Sequence, residues 1–415
     1  MKNEFGGERK AVSTRTLPLR VLFVATSTGQ GGLEQHSVET ARWLEQEGIS
    51  VTYACRPDGF LERLCAAKQV TTHPLVVRNS GDLLAAFRLA GCILRGKFSI
   101  VHVHSRRDFV VSVLAVALAR ACIWRPQERP SLVLHAHLLR EFGTPAGLSG
   151  RFFERGADAV VTVSEVARDF LLRVHQFDGR FVKTIYNGID ADAYQFAPPQ
   201  RRRLRNRYRQ QWGCSDTAPV VGMVGRLNAK GQAALLRAAP RVLACVPDAR
   251  FIFVGPKREP GDDWLLEYLA QVMGVGHACV FTGPLENIPE VLTTFDALVH
   301  LPTEESFGLA LAEALAAGIP VIAAQTGGCA EIVTHGITGM LVPPQDEDCL
   351  VEALCKMLTE GGAATRRRMA LAGPRHARSR FSRAQQSEGL QALYAQLQDA
   401  KAKAPAAAGV PAKAV

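Results

Sequence analysis

Two carboxylates, Glu305 and Glu313, lie eight residues apart in the segment EESFGLALAEALAAGIPVIAAQTGGCAEIV and have the spacing most suggestive of chemistry. The pattern predicts a loop that carries Glu305 and a helix starting near Phe307, on which Glu313 lies roughly two turns in. The amides of Phe307, Gly308 and Leu309 would then be free donors at a helix N-terminus, where the dipole also favours an anion. The segment therefore predicts a site for a phosphate-bearing ligand. The alternative for Glu313 is a solvated position on an ordinary amphipathic helix.

Two cations follow the apolar stretch PVVGMVGR in the loop GRLNAKG. Arg226 comes directly after Gly225 at the predicted strand end, and Lys230 precedes Gly231 at the opening of a helix. Both charges and the free amides should therefore meet at the carboxyl end of a parallel strand. Such a group can neutralise the charge of a leaving diphosphate. The alternative is a pair of surface cations.

The first half of the chain has two further candidate features. Gly31 and Gly32 follow the first predicted strand, with Glu34 beside them, and the missing side chains would let backbone approach a sugar or a phosphate. His137 ends the predicted strand SLVLHAH, and His135 lies on the same face of that strand by alternation.

The remaining residues of interest are predicted to be structural. His102 and His104, in VHVHS, are interpreted as core or strand-end residues. Asp190 and Asp192 have the D-x-D spacing of a metal site, but they follow YNGI at a predicted linker. We therefore predict that they are structural, with Asp190 capping the segment after it.

Apolar strands alternate with amphipathic helices from Leu19 onward, and the same alternation restarts at Pro219. A chain of 415 residues also exceeds what one hydrophobic core usually supports. The prediction is an α/β protein with two Rossmann-like domains, at 19–195 and 219–380, joined by a linker at 196–218. The low-complexity tail 401–415 is expected to be disordered.

Composition narrows the functional class. A hydrophobic content of 47% with 21% charged residues is typical of a soluble globular protein. The ten cysteines form no C-x-x-C pair, so a zinc site is not predicted. The first twenty residues have no apolar core of a secretory signal, and the longest apolar run, at 109–119, is too short to span a bilayer, so a cytoplasmic location is expected.

The formal net charge of +10 suggests an anionic partner, and nucleotide sugars, anionic lipids and nucleic acids all fit that description. No aromatic-interleaved basic motif is present, so nucleic acid is not predicted. Six arginines occur within 201–210. They are interpreted as a solvated helix face, with a phosphate-binding or membrane-surface role as the alternative.

Taken with YNGID at 186–190 and GQGGLEQHSVETARWLEQEGISV at 29–51, these motifs resemble the retaining, two-domain nucleotide-sugar glycosyltransferases of family 4, also called glycosyl transferases group 1. The resemblance covers roughly residues 19–395. It implies the GT-B fold, in which two Rossmann-like domains face each other across a cleft. It also implies a C-terminal helix, here 381–398, that crosses back to the first domain.

The resemblance assigns roles to the candidate residues. Arg226 and Lys230 would neutralise the diphosphate, although the loop between them is one residue shorter than the family usually has. Glu313 would bind the nucleotide ribose, and Glu305 would lie near the donor sugar and its phosphate. His137 would face the donor sugar across the cleft.

The implied activity is transfer of a sugar, with retention, from a nucleotide-diphosphate sugar to an acceptor hydroxyl, without a cofactor or a metal for chemistry. The acceptor would be a glycan or a lipid-linked molecule in cell-envelope polysaccharide, lipopolysaccharide or glycolipid assembly. For a lipid-linked acceptor, the basic run 201–210 and the arginines around 366–383 predict weak peripheral contact with an anionic membrane. A sugar-nucleotide epimerase of the same fold and a non-catalytic nucleotide- or glycan-binding partner stay open as alternatives.

Overall fold

The computed structural model describes every residue except 1–18, 30, 139–151, 154, 258 and 404–415. Its described residues form two parallel β-sheets with helices between successive strands. The predicted architecture of two Rossmann-like halves is confirmed. The predictions for the first eighteen residues and for the tail from 404 onward lie outside the described residues.

The first sheet has the order β3-β2-β1-β4-β5-β6-β7, and all neighbouring strands are parallel. Its central strands are nearly continuous apolar runs because helices cover both faces; Val21–Val24, for example, is fully buried. The strands are β1 Arg20–Val24, β2 Ser50–Cys55, β3 Thr71–Pro74, β4 Ile100–Val103, β5 Ser131–Ala136, β6 Ala159–Thr162 and β7 Val182–Thr184.

Five described helices accompany this sheet. The first two pack on one face of it, and the next two pack side by side on the other. The fifth is capped at its start by Ser164, whose hydroxyl accepts from the amide of Ala167 at 3.1 Å. The helices are α1 Gly32–Gln46, α2 Phe60–Ala67, α3 Leu83–Gly96, α4 Arg106–Cys122 and α5 Glu165–Val174.

The second sheet, also parallel, has the order β10-β9-β8-β11-β12-β13. Strand order reverses next to β8, as it does next to β1 in the first sheet, and such reversals open a crevice at the carboxyl ends of the strands. The strands are β8 Val220–Val224, β9 Arg250–Val254, β10 Cys279–Gly283, β11 Ala297–His300, β12 Val321–Ala324 and β13 Gly339–Val342.

The first helix of the second half, α6 (Pro198–Gln211), lies inside the segment 196–218 that was predicted as a linker. It contacts α9 (Ile288–Leu292) and so packs on the second domain. The helices of the second half are α6 Pro198–Gln211, α7 Gln232–Cys245, α8 Asp262–Val272, α9 Ile288–Leu292, α10 Leu309–Ala316, α11 Cys329–Ile332, α12 Glu347–Leu358 and α13 Ala363–Phe381.

The chain crosses back to the first domain through α14, Arg383–Lys403. The two crossing segments are bonded to each other, since the amide of Ile189 donates to Phe381 O at 2.7 Å and the amide of Arg383 donates to Ile189 O at 2.9 Å. Gly188 permits this approach, because a Cβ there would lie 2.8 Å from Ser382 O. The predicted return helix is confirmed, and it extends into the segment predicted to be disordered.

The longest apolar run lies within α4, where it is largely buried against α3 and the first sheet. Among the described residues, no helix has both the length and the apolar character needed to cross a bilayer.

Candidate active site

Lys230, Glu305 and His300 meet at the carboxyl edge of the second sheet. Lys230 Nζ donates to Glu305 Oε2 at 2.5 Å, and His300 Nε2 lies 2.8 Å from the same oxygen. His300 is the last residue of β11, and the next amide, that of Leu301, donates to Lys230 O at 2.8 Å. The structure therefore brings together a predicted cation and the first predicted carboxylate, and adds a histidine that the motifs did not indicate.

The charge states of this group follow from its burial. Burial raises the pKa of Glu305, but the His300 hydrogen bond and the Lys230 ammonium outweigh that effect and lower the pKa to about 2. Burial lowers the pKa of His300, so its neutral ring donates Nε2–H to the carboxylate. The ion pair is therefore between Glu305 and Lys230. Because an ammonium has three N–H donors, Lys230 can bind a ligand oxygen as well.

Two glycines with left-handed φ shape the loop that carries Lys230. Gly225 has φ 141° and Gly231 has φ 86°. A Cβ at Gly225 would lie 2.9 Å from Lys230 Cγ, and one at Gly231 would lie 2.5 Å from Leu301 Cβ. The side chain of Lys230 thus lies across the loop, and the short spacing after Arg226 does not prevent it from reaching Glu305.

Gln232 is a second residue that the motifs did not indicate. Its side chain is almost fully buried at the start of α7. The amide of Lys230 donates to Gln232 Oε1 at 3.0 Å, and Gln232 Nε2 donates to Arg226 O at 3.0 Å. One side chain therefore fixes both ends of the cationic loop.

The two domains meet at the predicted glycine pair. A Cβ on Gly31 would lie 4.0 Å from Arg226 Cζ, and one on Gly32 would lie 3.6 Å from a methyl of Leu309. Glu34 holds this turn in place, because its Oε2 accepts from the amide of Gly31 at 2.9 Å. The glycine turn of the first domain thus faces the cationic loop and the start of α10 in the second.

Helix α10 begins at Leu309, two residues later than predicted, because Gly308 takes a left-handed conformation with φ 105°. Glu313 lies in its second turn, where burial raises the pKa of its carboxyl and a hydrogen bond with Tyr194 partly offsets that rise. Tyr194 belongs to the short 3-10 segment that follows YNGID. The partly buried Glu313 is therefore not a solvated helix-face residue.

The glycine-rich turn at Gly327 and Gly328 packs against the backbone of the loop that carries Glu305. The amide of Gly328 donates to Glu305 O at 2.8 Å, and a Cβ on Gly327 would lie 2.0 Å from that oxygen. Glu331, three residues on, reaches the first domain, where its carboxylate accepts from the amides of Glu165 and Val166 at 2.9 and 2.8 Å. This carboxylate at the N-terminus of α5 joins the two halves.

His137 lies in a buried stack of histidines from β4, β5 and the residues after them. The rings of His135 and His137 are 4.0 Å apart with an interplanar angle of 18°, and those of His102 and His104 are 4.5 Å apart at 19°. His104 Nδ1 lies 3.1 Å from His137 Nε2, and His102 Nε2 lies 3.2 Å from His135 Nδ1. The prediction that His102 and His104 are core residues is right about burial, but it missed these bonds.

The same stack is not interpreted as a metal centre. Ligand nitrogens of His102, His104 and His135 lie within 4.8 Å of one another. However, both ring nitrogens of His102 are already hydrogen-bonded, Nδ1 with the hydroxyl of Tyr394 at 2.5 Å and Nε2 with His135 Nδ1 at 3.2 Å. Burial lowers the pKa of each imidazole well below its usual range or, for His102, to about 3, so the rings are neutral and can both donate and accept hydrogen bonds. We interpret the stack as a hydrogen-bonded array.

The D-x-D pair binds cations of the C-terminal crossing. Asp192 forms an ion pair with Arg378 at 2.6 Å, and Asp190 lies 3.6 Å from Arg383. Asp190 is the N-cap residue of the 3-10 segment, as predicted, but its side chain makes no capping bond. Asp192 therefore ties this segment to the last turn of α13, and Asp190 ties it to the start of the return helix α14.

Three of the six arginines in the basic run 201–210 are buried or half-buried, and the other three are exposed. Its arginines lie on α6, which packs against the second domain, and four of them bind carbonyl or carboxylate oxygens of that domain or of the adjoining loop. The predicted solvated face is therefore wrong for Arg201, Arg205 and Arg209, whereas Arg207 keeps an exposed side chain beside its partner. The bonds run from Arg201 to Ala317 O, from Arg205 to Thr294 O and Asp296, from Arg207 to Glu290, and from Arg209 to Asp296 and Ser215 O.

Two family models match the chain, one on each half. Residues 30–193 match the model described as Glycosyltransferase Family 4, and residues 205–376 match the model described as Glycosyl transferases group 1. A D-inositol 3-phosphate glycosyltransferase of Stackebrandtia nassauensis is 28% identical, over 95% of this chain and 92% of its own length.

Solved structures give the same fold. A glycosyltransferase from Rickettsia africae superposes with a TM-score of 0.80 at 19% identity, over 91% of this chain and 98% of its own. The Anabaena protein HepE, crystallised with UDP and glucose, superposes with a TM-score of 0.77 at 22% identity, over 91% of this chain and 99% of its own.

Proposed function

We propose a specific reaction for this chain, which belongs to the group 1 glycosyltransferases of family 4 and is therefore a glycosyltransferase with the GT-B fold. The chain transfers a sugar from a nucleotide-diphosphate sugar to an acceptor hydroxyl with retention of configuration. We further propose a glycan or lipid-linked acceptor in cell-envelope polysaccharide, lipopolysaccharide or glycolipid assembly. The family match favours this reaction over an epimerase and over a non-catalytic binding partner.

One observation carries the proposal: a cationic and amide-rich edge of the second domain faces the glycine turn of the first. Lys230 is bonded to the ionised Glu305 beside the start of α10, and Arg226 lies against Gly31. Fixed cations and helix-terminal amides of this kind stabilise negative charge as it develops on a leaving group. A diphosphate is the ligand that this combination suits.

The proposed reaction proceeds on one face of the donor sugar. The bond from the anomeric carbon to the diphosphate oxygen breaks, and Arg226, Lys230 and the amides of Phe307, Gly308 and Leu309 take up the charge. The acceptor oxygen bonds to the anomeric carbon from the same face. Its proton passes to the departing phosphate oxygen, so no further base is needed.

The remaining residues are proposed to hold the donor. Glu313 would bind the ribose hydroxyls from α10, with Tyr194 as its neighbour. Gly31 and Gly32 would let backbone approach the donor sugar, and His137 would face that sugar across the cleft. No cofactor or metal is assigned to the chemistry, because fixed cations fill that role and Asp190 and Asp192 already bind arginines.

A donor screen tests this function. The purified protein is incubated with UDP- and GDP-sugars and octyl glycosides as acceptors, and release of nucleoside diphosphate is followed. We expect release with at least one donor, a product whose anomeric proton coupling in NMR matches that of the donor, and an initial rate that a chelator leaves largely intact. An inverted product would contradict retention, and a chelated enzyme restored only by manganese would contradict metal independence.

We also propose a cytoplasmic location with peripheral contact to an anionic membrane. With three arginines of α6 bound internally and the exposed Arg207 paired with Glu290, the cations that support this are the exposed Arg202 and Arg203 and the exposed Arg367 and Arg368 of α13. Binding to anionic vesicles at low salt is expected to exceed binding to neutral ones, since salt screens such contacts. Equal sedimentation with both vesicle types would remove this part of the proposal.

A further inference from the structure

His104 forms a hydrogen bond with His137, between Nδ1 of His104 and Nε2 of His137 at 3.1 Å. We propose that His104 is a positioning residue that fixes both the orientation and the tautomer of His137. The inference rests on the proposed function, in which His137 faces the donor sugar.

The position of His104 is itself tightly fixed. It follows β4 directly, and its amide donates to Val24 O in the neighbouring strand at 2.9 Å. Its ring lies 4.4 Å from the ring of Phe23 on one side and 5.3 Å from that of His137 on another. Only 1% of the residue is exposed. A ring held this firmly can orient its hydrogen-bond partner.

The tautomer follows from the other nitrogen of His104. Among the described residues, Nε2 of His104 is buried and has no partner. A buried N–H without an acceptor is rarer and more costly than an unused lone pair, so the proton of His104 resides on Nδ1. Nδ1–H then donates to Nε2 of His137. The proton of neutral His137 is consequently on its own Nδ1, which makes that nitrogen a hydrogen-bond donor.

The other two histidines of the stack are hydrogen-bonded to each other, and His135 Nε2 is buried without a partner among the described residues. His102 Nδ1 lies 2.5 Å from the hydroxyl of Tyr394 on α14, and His102 Nε2 bonds to His135. His135 therefore packs its ring against His137 without the bond that His104 makes. It is a matched control, since it shares the stack and the burial but not the role in setting the tautomer.

Steady-state kinetics on matched variants test the proposal. His104→Leu is expected to lower kcat by about 10- to 100-fold while the donor KM changes by less than about threefold, because a wrongly protonated histidine still leaves the donor site intact. His135→Leu should keep kcat within about threefold of wild type. His104→Asn places an amide near the lost Nδ1 and should recover most of the activity. Equal losses in His104→Leu and His135→Leu would overturn the proposal.

Nitrogen-15 NMR of histidine-labelled protein gives a readout that a merely structural role would not change. The His137 signals, assigned by their loss in His137→Asn, should show the Nδ1–H form in the wild type and a shift toward Nε2–H in His104→Leu. An Nε2–H tautomer in the wild type would overturn the proposal. If His137→Ala were fully active, the proposed role of His137 would fail, and the inference with it. If His137→Ala were inactive but His104→Leu fully active, only the inference would fail.

Discussion

Replacing Lys230 by alanine is expected to lower kcat by about 100-fold or more, a loss typical when one preorganised charged donor is removed from a leaving group. Lys230 is the cation nearest the ionised Glu305, and its loop is held by Gln232 at both ends. The variant would leave Glu305 with His300, and the diphosphate with Arg226 as its one remaining assigned cation. The measurement is kcat and donor KM from nucleoside diphosphate release.

Two further variants accompany this prediction: one is a control with no expected effect, and the other is expected to change KM instead of kcat. Arg237→Ala removes an exposed cation of α7 that pairs with Glu347, and it should leave both kinetic constants within about twofold of wild type. Glu313→Gln should instead raise the donor KM by about tenfold with kcat largely kept, because the ribose is bound equally in the ground and transition states. A Lys230→Ala enzyme with wild-type kcat would show that Arg226 and the helix amides suffice.

Replacing Asp296 by alanine is expected to lower the free energy of unfolding by about 3 kcal/mol, because it leaves a buried arginine without its counter-ion. Asp296 Oδ2 accepts from Arg209 at 3.0 Å and from the amide of Val220 at 2.8 Å, and Oδ1 accepts from Arg205 at 2.9 Å. Arg209 is only 1% exposed. Urea unfolding followed by circular dichroism provides the measurement.

An exposed ion pair provides the control for this stability prediction. Asp348 pairs with Arg241, and both side chains are more than half exposed. Asp348→Ala should therefore change the urea midpoint very little. If Asp296→Ala were as stable as Asp348→Ala, the arginines of α6 would not depend on this carboxylate, and the solvated-face interpretation of the run would regain support.

The basic run 201–210 shows that the exposure of charged side chains cannot be inferred from local sequence composition alone. Six arginines in ten residues indicate an exposed cationic helix face, since local composition says nothing about distant acceptors. Their partners at Glu290, Asp296 and Ala317 lie many residues away along the chain. Only the packing of α6 on the second domain places those oxygens within reach.

The return helix and the cleft were implied by the family resemblance, but the sequence by itself determined the strands and helices of the two parallel sheets. These are encoded locally, because buried parallel strands need continuous apolar runs and their helices need amphipathic faces. The spacing of Glu305 and Glu313, and the glycines around Lys230, likewise depend on short stretches of chain. Their placement at the carboxyl ends of strands followed from the order of the elements.

Only the tertiary structure decided which side chains bind one another. His300 on Glu305, Tyr194 beside Glu313, Glu331 on α5 and the bond from His104 to His137 all join residues on separate elements or separate loops. None of these pairs has a sequence signature, because the distance between two side chains depends on strand register and on how the two domains pack. The charge states of Glu305 and the histidines follow from the same packing, since burial and hydrogen bonding set them.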